Sequence, residues 1–293
     1  MTHFCNTARK VSLFFLLAIF TFSTFCFADS SPDSATLLSQ VQDRVSERYF
    51  RPLTSKELEP PQTVEQFLQN LDPDTRLEVL QAPTKDFIRG LEREESITDR
   101  RIISGDSVKN TKPIGYARIL FFGRRTAYDF QQWIQNVPPL SGFIIDIRGN
   151  PGGNLEESLK LSSLWVEREE TVGFFQGRDS KKLVTTPVSN SLMLHLRTTL
   201  LIDEGTSSSA EFFAWVLKQY GKAILVGKRS HGKASVQEGI PLSSDRRLWL
   251  TVGHLFLPDG RSFQGVGVEP DYWVKEPDQG IRKAIEALTE VLA

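Results

Sequence analysis

The sequence predicts an α/β layered fold, a partly parallel sheet flanked by helices, with a small helical section in front of it. Three observations carry this reading. The run Phe143-Ile144-Ile145-Asp146-Ile147 is continuously apolar around one acid, the mark of a strand buried on both faces. Further strand-like runs recur at 172–175, 200–203, 223–226, 236–241 and 248–257, and helical periodicity separates several of them. Strand and helix therefore alternate, as they do when helices cover a largely parallel sheet. The bulk composition allows it: 293 residues, 40% hydrophobic and 24% charged, suffice for a real core in a single α/β domain.

Taken in order, the chain starts with a candidate leader. Arg9 and Lys10 precede an uncharged apolar stretch from Val11 to Phe27, and Cys26-Phe27-Ala28 offers small residues where a secretory signal peptide is cut. The alternative is an uncleaved membrane anchor, since the stretch nearly spans a bilayer. Cleavage is the expectation here, leaving no stable membrane span and an exported, periplasmic or extracellular protein. Both cysteines, Cys5 and Cys26, would leave with the leader, and thiol nucleophiles, thiolate metal sites and disulfides would leave with them. Arg9 and Lys10 go too, so 35 basic residues become 33 against 36 acidic ones, a net charge of −3. Without a basic surplus, nucleic-acid binding has no electrostatic support.

Residues 29–34 read as a flexible segment. Leu37, Val41, Val45 and Tyr49 then recur every four residues, the stripe of an amphipathic helix. Glu59-Pro60-Pro61 breaks the chain; a short helix follows around 64–71, then the turn Asp72-Pro73-Asp74 and a further helical pattern over 84–95. From here the reading is a strand at 114–122, a helix at 127–137, a strand at 143–147, the sharp break Asn150-Pro151-Gly152-Gly153, and a helix at 155–166. Later helices are expected at 210–220 and 279–292.

Two places hold candidate chemistry. In Asp203-Glu204-Gly205-Thr206-Ser207-Ser208-Ser209-Ala210-Glu211, three serines sit between an apolar strand and a helix. Such junctions expose hydroxyl nucleophiles, and the helix N-terminus favours developing negative charge. Serine is also an ordinary helix cap, which is the plainer reading. The second place is Gly227-Lys228-Arg229-Ser230-His231-Gly232-Lys233, a loop after the next strand. A lysine shielded from water can lose its proton near neutral pH and serve as the base of a serine nucleophile. A solvated surface lysine is the plainer reading there. His195 and His254 have no metal-ligand spacing, and no metal site is expected.

Four segments together resemble the S41 peptidases, the C-terminal processing or tail-specific proteases. They are Asp146-Ile147-Arg148-Gly149-Asn150-Pro151-Gly152-Gly153, Glu204 through Glu211, Gly227 through Gln237, and Pro258-Asp259-Gly260-Arg261-Ser262 continuing to Gln264-Gly265, Gly267 and Glu269-Pro270-Asp271. All four stand in the family's order and spacing. The resemblance implies a ClpP/crotonase-like protease core and no cofactor. It also chooses among the serines: the nucleophile stands three residues after a glycine and 25 before the lysine, which selects Ser208 and Lys233. Gln237 would help hold the lysine, and the oxyanion hole would use the amides of Ser209 and Gly152, with Gly153 second to Gly152.

Some features depart from the family. His231 stands where a Phe or Tyr is usual and offers an alternative base; Ala234 replaces a common glycine. Between Asp72-Pro73, which resembles the family's Leu-Asp-Pro segment, and the strand at Ile114, about 40 residues are too few for a PDZ domain. The resulting expectation is a variant without that domain: a signal peptide over 1–28, an N-terminal helical region over 29–105, a peptidase core over 106–278 and a C-terminal helix over 279–293. Its partners would be a polypeptide substrate and, in place of the PDZ, an adaptor protein or a second copy in a homo-oligomer. A catalytically inactive peptide-binding or regulatory module on the same scaffold is the alternative.

Overall fold

The structure, a computed structural model, describes residues 34–57, 59, 63–80, 95–104, 112–167, 170–187 and 192–290. The expected leader and nearly all of the helix expected over 84–95 lie outside them. At the centre is a six-stranded sheet of β11 (Tyr272–Trp273), β8 (Ala223–Gly227), β7 (Thr198–Ile202), β4 (Gly142–Asp146), β3 (Ile114–Ile119) and β2 (Ile97–Ile103), in that order. Every neighbouring pair is parallel except β2 with β3. β4 and β7 are buried at every position, which is why both read as unbroken apolar runs.

Side chains alternate along each strand, so the sheet has two apolar faces to cover. Helices α3 (Thr126–Ile134), α4 (Leu155–Ser162) and α5 (Ser209–Gln219) cover one, packing Phe130, Leu159, Phe212 and Phe213 against Phe143, Ile145, Leu200 and Ile202. On the other face α6 (Pro277–Glu290) lays Ala284 and Leu288 over Ile144, Leu201 and Val226. This is the expected α/β architecture.

A second, antiparallel sheet is built on the long strand β10 (Arg246–Phe256). It pairs with β1 (Arg76–Val79), β9 (Ser235–Pro241) and β5 (Thr171–Gly177), and β6 (Lys181–Thr185) follows β5. Helices α1 (Ser34–Arg48) and α2 (Val64–Gln69) dock on it through Leu37, Val41, Val45 and Phe67, meeting Ile240, Leu248 and Leu250. The front section is thus more than helical. It gives β1 to the second sheet and β2 to the first. β1, β2, β6 and β11 escape the sequence pattern for one reason: each is the last strand of its sheet, with a face open to polar residues.

Leu250, on β10, is fully buried against the N-terminal helices. Replacing it with alanine is expected to cost about 2–5 kcal/mol, as buried Leu→Ala changes do. Urea unfolding would read this as a lower midpoint; an unchanged midpoint would mean that the N-terminal helices contribute nothing to the fold.

Candidate active site

Three loops leave the C-terminal ends of the neighbouring parallel strands β4, β7 and β8, the edge at which open α/β sheets place their sites. Side chains on the first two loops lace them together. Asp203, just after β7, accepts the N–H groups of Gly149 (2.8 Å), Gly205 (2.9 Å) and Thr206 (3.1 Å) on one oxygen. Thr206 returns its hydroxyl to Ile147 O at 2.9 Å. The fully buried Asn150 donates to Ile119 O at 3.0 Å, and its backbone carbonyl accepts Ser207 N–H at 2.9 Å. Behind them lies Asp146, also fully buried. Burial alone would raise its carboxyl, but the Arg148 guanidinium, bonded at 2.6 and 2.9 Å, outweighs that and holds it below the usual carboxylate range.

Ser208 opens α5 with φ 56° and ψ −124°, the one non-glycine residue with positive φ among the described residues. Such a conformation costs on the order of 1–3 kcal/mol and persists where the surroundings enforce it. The agent here is Glu211, one turn into the helix and fully buried. Its Oε2 accepts Ser208 N–H at 2.9 Å and Lys233 N–H at 2.8 Å; its Oε1 accepts Gly232 N–H and the Ser230 hydroxyl, both at 2.6 Å. One carboxylate thus ties the serine turn to the lysine loop. The adjacent Ser209 differs from Ser208, because its hydroxyl is shut in the core without a partner.

The lysine loop is held from its far side as well. Gln264 Oε1 accepts the N–H groups of Ala234 (2.7 Å) and Ser235 (2.9 Å), and Gly232 O accepts Gly265 N–H at 2.8 Å. Two of the four resembling segments meet at these bonds. Lys233 Nζ donates to Gln237 Oε1 at 2.7 Å and lies 3.5 Å from Asp74 Oδ1. No hydrogen bond joins it to the Ser208 hydroxyl, and the side chain keeps 21% of its exposure, so the amine is partly open to water rather than sealed from it. The two backbone amides share one Glu211 oxygen, so they stand no further apart than two hydrogen bonds.

The Pro-Gly-Gly turn abuts the serine. A Cβ on Gly152, whose φ is 103°, would stand 2.8 Å from Ser208 Cβ, so only glycine fits this approach. Its N–H, however, is taken by Asn150 Oδ1 at 2.8 Å. The N–H groups of Gly153 and Ser209 have no hydrogen-bond partner among the described residues. His231 is exposed, and only its backbone N–H is engaged, with Thr206 O at 2.9 Å. Sequence reasoning overlooked Asp74, and it passed over Glu211 as part of a matching segment. For Glu211 a signal existed, because a glutamate three residues after a helix-capping serine marks a capping position. Asp74 had none, since its bonds to Ser235 and Gln237 join residues 161 and 163 positions apart.

A profile described as Peptidase family S41 matches residues 113–274, more than half of the chain, and the chain belongs to that family. It is 32% identical over 171 residues to a carboxy-terminal-processing protease of Bartonella bacilliformis, covering 56% of this chain and 39% of that one. With the carboxy-terminal processing protease CtpB of Bacillus subtilis it shares 28% identity over 168 residues, 56% of this chain and 35% of that one. The chain therefore spans well under half the length of these relatives. Among solved structures, a photosystem II D1 C-terminal processing protease superposes with a TM-score of 0.60 at 16% identity, over 87% of this chain and 98% of that one. A lipoprotein from Streptococcus agalactiae gives 0.62 at 17%, over 90% and 99%. At such identities the agreement is one of fold.

Glu211→Gln would turn an acceptor facing crowded donors into a donor. Its loss is expected to cost about 3 kcal/mol or more, since buried donors lose a charged partner. Thermal melting would show it, and a melt matching wild type would remove Glu211 as the clamp. The half-buried His254 ring meets Phe50 edge-on at 4.6 Å, and burial pushes its imidazole down despite the nearby Asp72 and Asp74. Folded protein therefore binds this proton less readily than unfolded protein does. The stability His254 lends is complete above its unfolded pKa of about 6.5 and is lost as pH falls below it toward the folded value. Against His254→Phe, wild type should lose relative stability between pH 7 and 5; parallel curves would reject this.

Proposed function

We propose that the chain is a serine peptidase that cleaves polypeptides through an acyl-enzyme, with Ser208 as nucleophile and Lys233 as its base. The observation that carries the reading is the Glu211 carboxylate, which holds the backbone N–H groups of Ser208, in its strained conformation, and of Lys233 on one shared oxygen. Lys233 Nζ, as the free amine, takes the Ser208 proton as Oγ attacks the scissile carbonyl, and returns it to the leaving amine. Water then attacks the acyl carbon and gives a proton to Lys233, which passes it to Ser208 Oγ as the ester bond breaks and the acyl group leaves as an acid. The developing oxyanion would be met by the amides of Ser209 and Gly153. Gly153 is preferred to Gly152 because the Gly152 N–H already serves Asn150. Gln237 holds the amine between turnovers. No metal or cofactor enters the scheme.

The substrates we propose are proteins or peptides outside the cytoplasm, presented as extended strands, in keeping with the leader expected over 1–28. Among the described residues no helix is long and apolar enough to cross a membrane. The N-terminal region, core and C-terminal helix expected from sequence become, in this proposal, a docking arm, a catalytic body and a brace. We do not extend to this chain the carboxy-terminal processing named for its relatives, since the span from Asp72 to Ile114 is read as too short for a PDZ domain. An adaptor or a second copy would then supply the grip on substrate. One observation favours an inactive, peptide-binding reading instead: the amine rests on Gln237 and Asp74 and makes no hydrogen bond to the Ser208 hydroxyl.

Cleavage of casein or a peptide library separates the two. Ser208→Ala and Lys233→Ala are each expected to lower turnover by about a thousandfold or more, and the double variant by little further. His231→Ala should stay within a few-fold of wild type. Turnover that survives Lys233→Ala and vanishes in His231→Ala would hand the base to the histidine; no wild-type cleavage of any substrate, with peptide still bound, would favour the binding module.

A further inference from the structure

The turn Asp72-Pro73-Asp74-Thr75 belongs to the N-terminal section, outside the span 113–274 that matches the family, yet it ends inside the site. Asp72 locks it. Its Oδ1 accepts Asp74 N–H (2.9 Å), Thr75 N–H (3.1 Å) and the Thr251 hydroxyl (2.9 Å), and its Oδ2 accepts the Thr75 hydroxyl (2.6 Å). Thr251 sits opposite Gln237 in the pairing of β9 with β10, so the lock lies one strand away from the glutamine.

Asp74 then acts twice. Its backbone carbonyl accepts a short hydrogen bond from Gln237 Nε2. A carbonyl can only accept, so this contact decides which way the amide of Gln237 faces and turns its Oε1 toward the lysine. The carboxylate of Asp74 is held by the Ser235 hydroxyl at 2.5 Å and reaches to within 3.5 Å of Lys233 Nζ. With these two partners the amine makes no hydrogen bond to the Ser208 hydroxyl.

We propose that Asp74 is a positioning residue of the Ser208–Lys233 pair, tethering the lysine amine to Gln237 and competing with Ser208 for it. The inference rests on the peptidase reading for its catalytic consequence, but the tether itself does not. The other charged and titratable groups around the amine are few. Glu211, from α5, is occupied by four donors; Asp72 lies behind Asp74 and is occupied likewise; His254, from β10, is close enough to feel both aspartates. His231, on the same loop, is exposed. Among the described residues Asp74 is therefore the carboxylate in ion-pair reach of the amine.

Asp74→Asn tests this, because it keeps the backbone carbonyl and an oxygen for Ser235 while removing the charge. A neighbouring negative charge favours the charged form of an amine, so removing it should move the rising limb of kcat/KM against pH toward lower pH in this variant. On the acid side of the limb that is a gain, with the plateau changed by less than threefold. Asp74→Glu, which retains the charge, should return the limb toward wild type. A limb that stays put in Asp74→Asn, with or without a fall in the plateau, would overturn the proposal, because a merely structural turn changes the plateau alone. Titration of the Lys233 ε-methylene by carbon NMR in Ser208→Ala, with and without Asp74→Asn, reads the tether without any turnover. Equal midpoints there overturn the tether. A downward shift together with cleavage that survives Ser208→Ala keeps the tether and removes Ser208 as the nucleophile.

Discussion

The buried carboxylate of Glu211 is the interaction on which the rest of the site depends. A lone charge in the interior is costly unless donors surround it, and four donors do so here, one from the serine turn and three from the lysine loop. Each donor comes from backbone or hydroxyl, with no cation among them, so the carboxylate serves as an acceptor and not as half of an ion pair. The consequence is geometric. The lysine loop cannot drift from the serine turn without stranding that charge, and Ser208 cannot relax its backbone without losing its N–H partner.

Around this clamp the fold supplies rigidity by layers. Parallel strands β4, β7 and β8 deliver three loops to one edge, and Asp203, Thr206 and Asn150 bind the first two to one another before either meets the third. Gln264 does the same for the lysine loop from the closing segment. The four segments that resemble the family thus prove to be parts of one hydrogen-bonded object, although they are scattered over more than a hundred residues. The N-terminal turn adds a fifth part from outside the matched span, and it is the part that speaks to the lysine side chain rather than to the backbone.

Much of the fold was legible. Central strands announce themselves because both faces are buried, and each expected helix of the core falls within a few residues of its observed bounds. The edge strands were not legible, since β1 carries Arg76 and Glu78 and β2 carries Asp99, Arg100 and Arg101, patterns that suit an open face as well as a loop. At the site, motif spacing pointed to Ser208, Lys233 and Gln237, and the lysine and glutamine do meet. The choice of Gly152 over Gly153 as amide donor could not be judged from sequence, because both glycines fit a tight turn. Only the hydrogen bond to Asn150 distinguishes them.

By itself, then, the sequence determined the layered fold, the family and the short list of candidate side chains, because hydrophobic periodicity and motif spacing are local properties of the chain. Tertiary structure decided which amides are free, which carboxylate clamps the loops, and that the lysine amine lies on Gln237 and Asp74. Those facts depend on residues up to 163 positions apart meeting across two sheets, and no local pattern encodes such a meeting. A hydrogen bond is settled by where a donor points, and that is known only once the chain has folded.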